Sequence, residues 1–136
     1  MKHKNLPHLF LESVKEYPDN VFLWEKRKAE YRGRTYREVQ ERLMDFASGL
    51  LELGLEKGDR VALISEGRND WVIGELAILS CGGVSVPLSV KIEEPADLQF
   101  RLAHASCKGV IVSGQHKHKV LKLAAELPAL QFILLL

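Results

Sequence analysis

The chain has 136 residues, about the length of one domain and enough to form a hydrophobic core. It contains 46% hydrophobic and 27% charged residues, and its net charge of +1 excludes a chain-wide electrostatic attraction to nucleic acid or to an acidic partner. The longest uncharged run, Leu76–Val90, has only 15 residues and includes two glycines and a proline, so we expect no transmembrane segment.

The first part of the chain predicts a helix followed by a hairpin. Apolar residues at helical spacing indicate a helix over Leu6–Tyr17, which Pro18 ends. A short strand is expected over Val21–Trp24. The charged stretch Lys26–Gly33 is then expected to turn the chain back, which makes a small hairpin.

The clearest helix follows this hairpin. Thr35 and Glu38 form a T-x-x-E capping box, in which each side chain satisfies a free backbone N–H of the first turn. The apolar residues that follow fall on one helical face, and Gly54 suits the left-handed position after a helix. The residues Lys57-Gly58-Asp59 then turn the chain toward a buried strand.

Short apolar strands alternate with helices through the rest of the chain. The strands are expected at Val61–Ile64, Val84–Leu88, Val110–Val112 and Phe132–Leu136. The intervening helices are expected from a cap at Asn69 to about Cys81, from Pro95 to about Ser106, and from Gln115 to Leu127. This alternation predicts an α/β fold over residues 1–136, a mostly parallel sheet flanked by helices with a small N-terminal hairpin.

Two glycines invite comparison with a phosphate-binding loop. Such a loop follows a strand and precedes a helix, whereas Gly82-Gly83 follows a helix and precedes a strand. We therefore interpret the pair as a helix stop with close packing.

Ligands of open α/β sheets bind beyond the carboxyl ends of the strands. Those ends are Ser65-Glu66-Gly67-Arg68, Leu88-Ser89 and Ser113-Gly114, which offer hydroxyls and one Glu/Arg couple but no nucleophile beside a base. Arg68 and Asp70 could contact a ligand, although we favour a solvated loop. The sequence therefore assigns no catalytic and no cofactor-binding residue.

Histidines and cysteines do not form a metal motif. His116 and His118 are two residues apart and do not share a helical face, and no second pair completes a tetrahedral site with His104 and Cys107. We expect no metal site. Because neither cysteine lies in a CxxC motif, we expect reduced thiols and a cytoplasmic location.

The stretch Trp24–Arg37 is locally basic. Six Lys/Arg residues against Glu25 and Glu30 give it a charge of +4, and aromatic residues lie among them. Such a pattern occurs on nucleic-acid surfaces. The whole-chain charge favours a solvated hairpin without nucleic acid, and a groove for an anionic ligand stays open as a smaller alternative.

Four segments in order resemble the N-terminal region of the AMP-forming acyl-CoA synthetases, in the adenylate-forming superfamily. They are Thr35–Val39 (TYREV), Gly54–Ala62 (GLEKGDRVA), Trp71–Ile73 (WVI) and Leu76–Leu88 (LAILSCGGVSVPL). Their amino-acid sequences are most similar to those of the long-chain fatty-acid branch. Departures at Gly67, Asn69 and Gly83, where the family commonly has Asn, Pro and Ala, concern the substrate branch rather than the fold.

The resemblance implies that the chain is the first α/β subdomain of a larger enzyme. The parent would use ATP, Mg²⁺ and coenzyme A to convert a carboxylic acid, through its acyl-adenylate, to a CoA thioester. The family's phosphate loop, adenine and magnesium motifs and C-terminal lid match no position here. The resemblance thus implies that these residues alone are inactive, and that the apolar ending LQFILLL, Leu130–Leu136, is an internal strand at a truncation.

Two alternatives to the ligase fragment stay open. One is a free-standing α/β interaction or regulatory module without catalysis, and the other is a flavodoxin-like binder of a small ligand, for which SEGRND would be a poor phosphate-accepting loop. Exposed strand edges favour self-association in either case. For the full-length protein, a peripheral position at the membrane is an alternative to a purely cytoplasmic one.

Overall fold

The computed structural model describes residues 4–136, so residues 1–3 of the predicted unit lie outside the described residues. Five helices, one 3₁₀ turn and six strands follow in chain order within those residues. They are α1 (Leu6–Glu16), β1 (Val21–Arg27), β2 (Glu30–Thr35), α2 (Tyr36–Glu52), β3 (Arg60–Ile64), α3 (Asn69–Ser80), β4 (Val84–Pro87), α4 (Pro95–His104), β5 (Gly109–Val112), α5 (Lys117–Leu121), the 3₁₀ turn (Ala124–Glu126) and β6 (Phe132–Leu135).

The four later strands form one parallel sheet in the order β4-β3-β5-β6. Strands β1 and β2 form a separate antiparallel hairpin. The predicted α/β class, with a parallel sheet flanked by helices and a small N-terminal hairpin, is therefore confirmed. The two outer strands, β4 and β6, leave one edge each without a neighbouring strand among the described residues.

Helices cover the sheet on both faces, which explains why its strands are uninterrupted apolar runs. In β3, Val61 and Leu63 point to the face that packs against α2 and α3, whereas Ala62 and Ile64 point to the face that packs against α4 and α5. All four side chains are buried. The facing residues of the helices include Leu50, Ala77 and Ile78 on the first face and Leu98, Leu102 and Val120 on the second.

A smaller apolar cluster attaches α1 and the hairpin to α2 and α3. The Phe22 and Tyr36 rings stack with centroids 4.5 Å apart, and the Phe10 ring lies 5.6 Å from that of Phe22. Phe10 is buried together with Val39 of α2. The hairpin is thus held at its base, and its turn residues, Lys28 and Ala29, are exposed.

Local signals in the sequence produce the predicted boundaries. Glu38 N donates to Thr35 Oγ1 at 3.3 Å, and Thr35 N donates to Glu38 Oε2 at 2.7 Å, so the capping box is confirmed. Gly54 adopts a φ of 85°, the left-handed conformation expected after the helix. Pro95 is the first residue of α4, as predicted.

Two predictions about the first half of the domain are wrong in detail. Strand β1 continues to Arg27 and β2 begins at Glu30, so only Lys28 and Ala29 turn the chain, rather than the stretch Lys26–Gly33. The cap of α3 is Arg68 in extended conformation, with no side-chain capping bond. Asn69 is instead the first residue of the helix and is buried, because the backbone enters the helix one residue earlier.

The predicted helix over Gln115–Leu127 is also wrong, because it is interrupted. Helix α5 ends at Leu121, and the chain then tightens into 3₁₀ geometry with hydrogen bonds from Leu123 N to Val120 O and from Glu126 N to Leu123 O. Side chains three residues apart align in such a turn. Val120 and Leu123 consequently enter the same core.

Within residues 4–136, no helix combines the length and the apolar character that crossing a membrane requires.

Candidate functional site

The loops after β3 and β5 meet at the carboxyl edge of the sheet. Ser113, the first residue after β5, is fully buried, and its Oγ donates a hydrogen bond of 2.7 Å to Glu66 Oε2 in the loop after β3. These strands are adjacent in the sheet, so residues 47 apart in sequence come into contact. The sequence pointed to both loops but not to this bond.

A chain of ion pairs extends from Glu66 along the start of α3. Glu66 Oε1 lies 3.4 Å from Arg68 Nη1, and Arg68 Nη2 lies 3.2 Å from Asp70 Oδ2. Asp70 Oδ1 in turn lies 3.4 Å from Nη2 of Arg42 on α2. The side chains of Arg68 and Asp70 are only 22% and 17% exposed, so the favoured interpretation of a solvated loop is wrong.

The electrostatics of this cluster favour an ionised Glu66. The hydrogen bond from Ser113 is the largest cause that lowers the pKa of the Glu66 carboxyl, and the charges of Arg68 and His116 lower it further. His116 Nε2 lies 3.9 Å from Glu66 Oε2. Two carboxylates and two guanidinium groups, Arg42 included, balance one another, so the cluster can orient a loop or a polar ligand but contains no activated nucleophile.

An open groove of 620 Å³ lies between the hairpin and this loop. One wall is Leu23–Arg27 of β1, and the other is Glu66–Asn69 with Val72 of α3. Arg68 Nε is buried beside this groove without a hydrogen-bond partner among the described residues. The groove could hold a polar molecule, but it offers no group that would transform one.

A second group of contacts at the carboxyl edge, made by Lys119, holds the loop after β4 in place. Lys119 Nζ donates to Val90 O at 2.9 Å, to Ile92 O at 3.1 Å and to Glu93 Oε1 at 2.8 Å, which uses all three donors of the ammonium group. The hydrogen bond to Lys119 is also the main cause that lowers the pKa of Glu93. Sequence reasoning found Leu88-Ser89 here but missed Lys119, since a lysine in a basic run gives no signal that it is buried.

The remaining histidine and cysteine candidates, His104 and Cys107, have different surroundings. His104 stacks on Phe100 with ring centroids 5.4 Å apart, whereas Cys107 is buried and its pKa is raised chiefly by that burial. Both cysteines are free thiols. Within residues 4–136, no group of three or more His, Cys, Asp or Glu side chains could hold a metal ion.

The basic stretch Trp24–Arg37 is partly neutralised within itself. Arg27 lies 3.4 Å from Glu25, and Arg32 lies 3.9 Å from Glu30.

The glycine pair, Gly82-Gly83, lies at the amino edge of the sheet. Gly82 adopts a φ of 77°, and Gly83 N donates a hydrogen bond to Ile78 O. Its interpretation as a helix stop is confirmed.

A family model described as "AMP-binding enzyme" matches residues 10–136. This chain belongs to the AMP-binding enzyme family. The resemblance to adenylate-forming enzymes, predicted from four motifs in order, is therefore confirmed.

Individual relatives agree with this assignment. The long-chain-fatty-acid–CoA ligase FadD15 of Mycobacterium bovis is 29% identical over 98% of this chain, and the chain spans 22% of that protein's length. The N-terminal subdomain of Klebsiella oxytoca NpsA with anthranilyl-AMSN superimposes with a TM-score of 0.73 at 30% identity, over 81% of this chain and 28% of that one. The A-PCP didomain of carboxylic acid reductase from Segniliparus rugosus, solved with AMP, shares the fold with a TM-score of 0.84 at 19% identity, over 97% and 21% of the two chains.

The described residues do not fit ATP and Mg²⁺ as a complete site. The guanidinium groups of Arg42 and Arg68 are already paired with carboxylates. The glycine pair lies at the edge of the sheet opposite to the one where ligands of such folds bind. These residues form an α/β unit whose polar carboxyl edge is ordered by Ser113, Glu66 and Lys119.

Proposed function

We propose that the chain is the N-terminal subdomain of an ATP-dependent, AMP-forming acyl-CoA ligase. The parent enzyme would activate a carboxylic acid through its acyl-adenylate and transfer it to coenzyme A, with Mg²⁺ as the metal ion. The observation that carries this proposal is the family match over residues 10–136, together with the alignment of FadD15 along 98% of the chain. The name of that relative also supports a long-chain fatty acid as the substrate.

The 136 residues alone are proposed to be inactive. Adenylation needs cations held on the phosphates and rigid alignment of the reacting groups. The cations at the carboxyl edge are engaged in internal pairs instead, with Arg68 between Glu66 and Asp70 and with Lys119 on the loop after β4. Their role in the parent is to hold two loops in place at the edge where the rest of the domain would complete the site.

Pyrophosphate release tests the proposal. The assay compares this chain with a protein extended through the downstream reading frame, using ATP, Mg²⁺, coenzyme A and a panel of fatty and aromatic acids. Release by the extended protein alone, with a preference for long acyl chains, is the expected result. Release by the 136 residues alone would contradict their proposed inactivity, and a preference for aromatic acids would contradict the substrate class but keep the ligase.

An extended protein that releases no pyrophosphate with any acid would contradict the ligase proposal. A free-standing interaction or regulatory module would then be the proposed function.

A matched pair of variants tests the role of the loop after β3 in the active protein. Ser113→Ala removes the bond to Glu66 and is expected to lower kcat/KM, whereas Ser106→Ala alters an exposed residue at the opposite edge and serves as the control.

We propose that the main partner of this unit is the remainder of its own chain, which would cover the β6 edge. Apolar residues are partly or largely accessible there: Leu135 is 56% exposed, and Leu134 lines an open groove with Phe46. In isolation the same edge would favour pairing between two copies. Sedimentation of the 136-residue chain should show dimers that Leu135→Lys reduces, and a monomer at high concentration would contradict this.

The location that we propose for the parent ligase is the cytoplasm, and a peripheral position at the membrane is the alternative. Free thiols at Cys81 and Cys107 support a reducing compartment.

A further inference from the structure

The outer face of the β1–β2 hairpin displays two aromatic rings and a lysine together. The strand register pairs Trp24 with Gly33 and Lys26 with Tyr31, so these side chains share one face. Trp24 is 62% exposed and Tyr31 is 67% exposed. A Cβ at Gly33 would lie 2.7 Å from Val21 Cγ1 and 3.3 Å from Trp24 Cη2, so the glycine leaves room for both side chains.

The acidic residues of the hairpin lie on its other face. Glu25 is paired across the strands with Arg32, and Glu30 with Arg27. The ion pairs of these carboxylates are made to the same two arginines. That face is therefore internally neutralised, and Leu23, which shares it, contacts the core.

The outer face, in contrast, has positive charge without a carboxylate. Lys26 forms none of the ion pairs found within residues 4–136, and its Nζ lies 5.8 Å from the centroid of the Tyr31 ring. Lys28 is exposed at the tip of the hairpin, in the turn itself. The hairpin thus presents two exposed aromatic rings together with Lys26 and, in the turn, Lys28.

We propose that this outer face, Trp24, Lys26 and Tyr31 with Lys28 at the tip, docks onto the surface of an anionic lipid bilayer. Trp and Tyr rings are amphipathic and prefer the headgroup region, where the apolar ring is buried and the N–H or O–H stays hydrated. Lysines near an anionic leaflet add electrostatic attraction that depends on salt. Only the outer face has positive charge that is not paired with a carboxylate. A planar anionic surface would therefore be attracted to that face and not to the other.

A nucleic-acid partner fits these observations less well. Binding of single strands uses a basic groove with successive stacking rings along the backbone. The hairpin has only two rings on this face, and the groove that Trp24 and Lys26 border is lined by Glu25 and Glu66 as well as by cations. The bilayer is therefore the partner we argue for.

Membrane docking also agrees with the proposed long-chain substrate, because long-chain fatty acids partition into bilayers. This link rests on the proposed function, whereas the docking of the hairpin does not. Vesicle binding requires neither ATP nor catalysis, so the experiment can fail while the ligase proposal stands, and the reverse also holds.

Binding to vesicles by co-sedimentation tests the proposal on the 136-residue chain. Phosphatidylcholine vesicles are compared with vesicles that also contain phosphatidylglycerol, at low and high salt. In a Trp71→Phe background, the emission of Trp24 reports whether the indole leaves water. We expect binding to the anionic vesicles only, a blue shift of that emission, and release at high salt.

Two matched pairs of variants locate the contact. Lys26→Gln is expected to weaken binding about fivefold, whereas Arg32→Gln removes the same charge from the neutralised face and should have a smaller effect. Trp24→Ser should abolish most binding, whereas Phe100→Ser removes an aromatic ring of similar exposure, 64%, on α4 and should change little. Circular dichroism and thermal unfolding verify that each variant is folded.

Several results would overturn the proposal. They are equal binding to neutral and anionic vesicles, equal loss of binding in the test and control variants, and an unchanged Trp24 emission. Binding to a single-stranded oligonucleotide without binding to vesicles would also overturn it, and would identify nucleic acid as the partner.

Discussion

Replacing Gly109 with alanine would make the new methyl group overlap with the ring of Phe132. Gly109 is the direct partner of Phe132 in the pairing of β5 with β6, and a Cβ at this position would lie 2.1 Å from two ring atoms. Ordinary carbon–carbon contacts begin near 3.5 Å, so the ring would have to retreat by more than about 1 Å. The ring is only 9% exposed and packs in the core, and Gln131 N is bonded to Lys108 O at 2.7 Å, so neither the side chain nor the strand is free to move.

Overpacking of this kind typically costs about 1–3 kcal/mol, and we expect Gly109→Ala at the upper end because the clash involves a buried ring. Guanidinium unfolding followed by circular dichroism measures the change in the free energy of unfolding. The control is Gly114→Ala just beyond β5, where a Cβ meets nothing within 4 Å and a change within about 0.5 kcal/mol is expected.

A double-mutant cycle with Phe132→Leu tests the mechanism. Removing the ring should relieve the clash, so the two changes together should cost less than their sum by about 1 kcal/mol or more. Strict additivity, or an effect of Gly109→Ala no larger than that of Gly114→Ala, would refute the steric argument.

Four further substitutions are expected to change stability. Lys108→Met should lower the free energy of unfolding by about 1–3 kcal/mol, because Lys108 Nζ donates to Gly54 O at 2.7 Å and to Asp59 Oδ2 at 2.6 Å; an unchanged denaturation midpoint would contradict this. The hydrogen bond from Lys108 is also the main cause that lowers the pKa of Asp59, so its contribution is present above the unfolded pKa near 3.9 and is lost as the pH falls toward the lower folded value. Acid titrations of stability should therefore be flatter below about pH 4 in Asp59→Asn than in the parent chain. In helix α2, Thr35→Ala should cost about 1 kcal/mol through loss of the cap, whereas Gly49→Ala should stabilise by about 0.5–1 kcal/mol because its Cβ meets nothing within 4 Å; thermal unfolding of both variants distinguishes these opposite signs.

Two polar contacts at opposite edges of the sheet have different expected roles. Lys108 and Asp59 tie the amino edge, where the turn before β3 meets β5, and their loss should affect stability. Ser113 and Glu66 order the carboxyl edge, where the proposed parent enzyme would bind its ligands. Stability and pyrophosphate release should therefore respond to different substitutions.

The elements whose signals are local can be predicted from the amino-acid sequence. The capping box at Thr35, the left-handed residue at Gly54 and the proline that opens α4 each act through backbone groups within one turn, so neighbouring residues are sufficient to predict them. The alternation of apolar strands and helices likewise predicted the parallel sheet, since only coverage on both faces explains unbroken apolar strands. Four motifs in order were sufficient to predict the family.

The order of the strands and the partners of the charged side chains depend on contacts between residues distant in sequence. Strand order depends on which surfaces complement one another across the sheet, as the Phe132 ring does over Gly109. Amino-acid composition does not predict this packing. Arg68 appeared solvated because a charged loop usually is, yet Asp70 on its own helix and Glu66, held by a serine 47 residues away, bind it in place. The break after Leu121 has the same origin, since packing of Val120 and Leu123 in one core outweighed the helical preference of the segment. Contacts between residues distant in sequence form only when the chain has folded, and they determine which of several locally acceptable conformations is adopted.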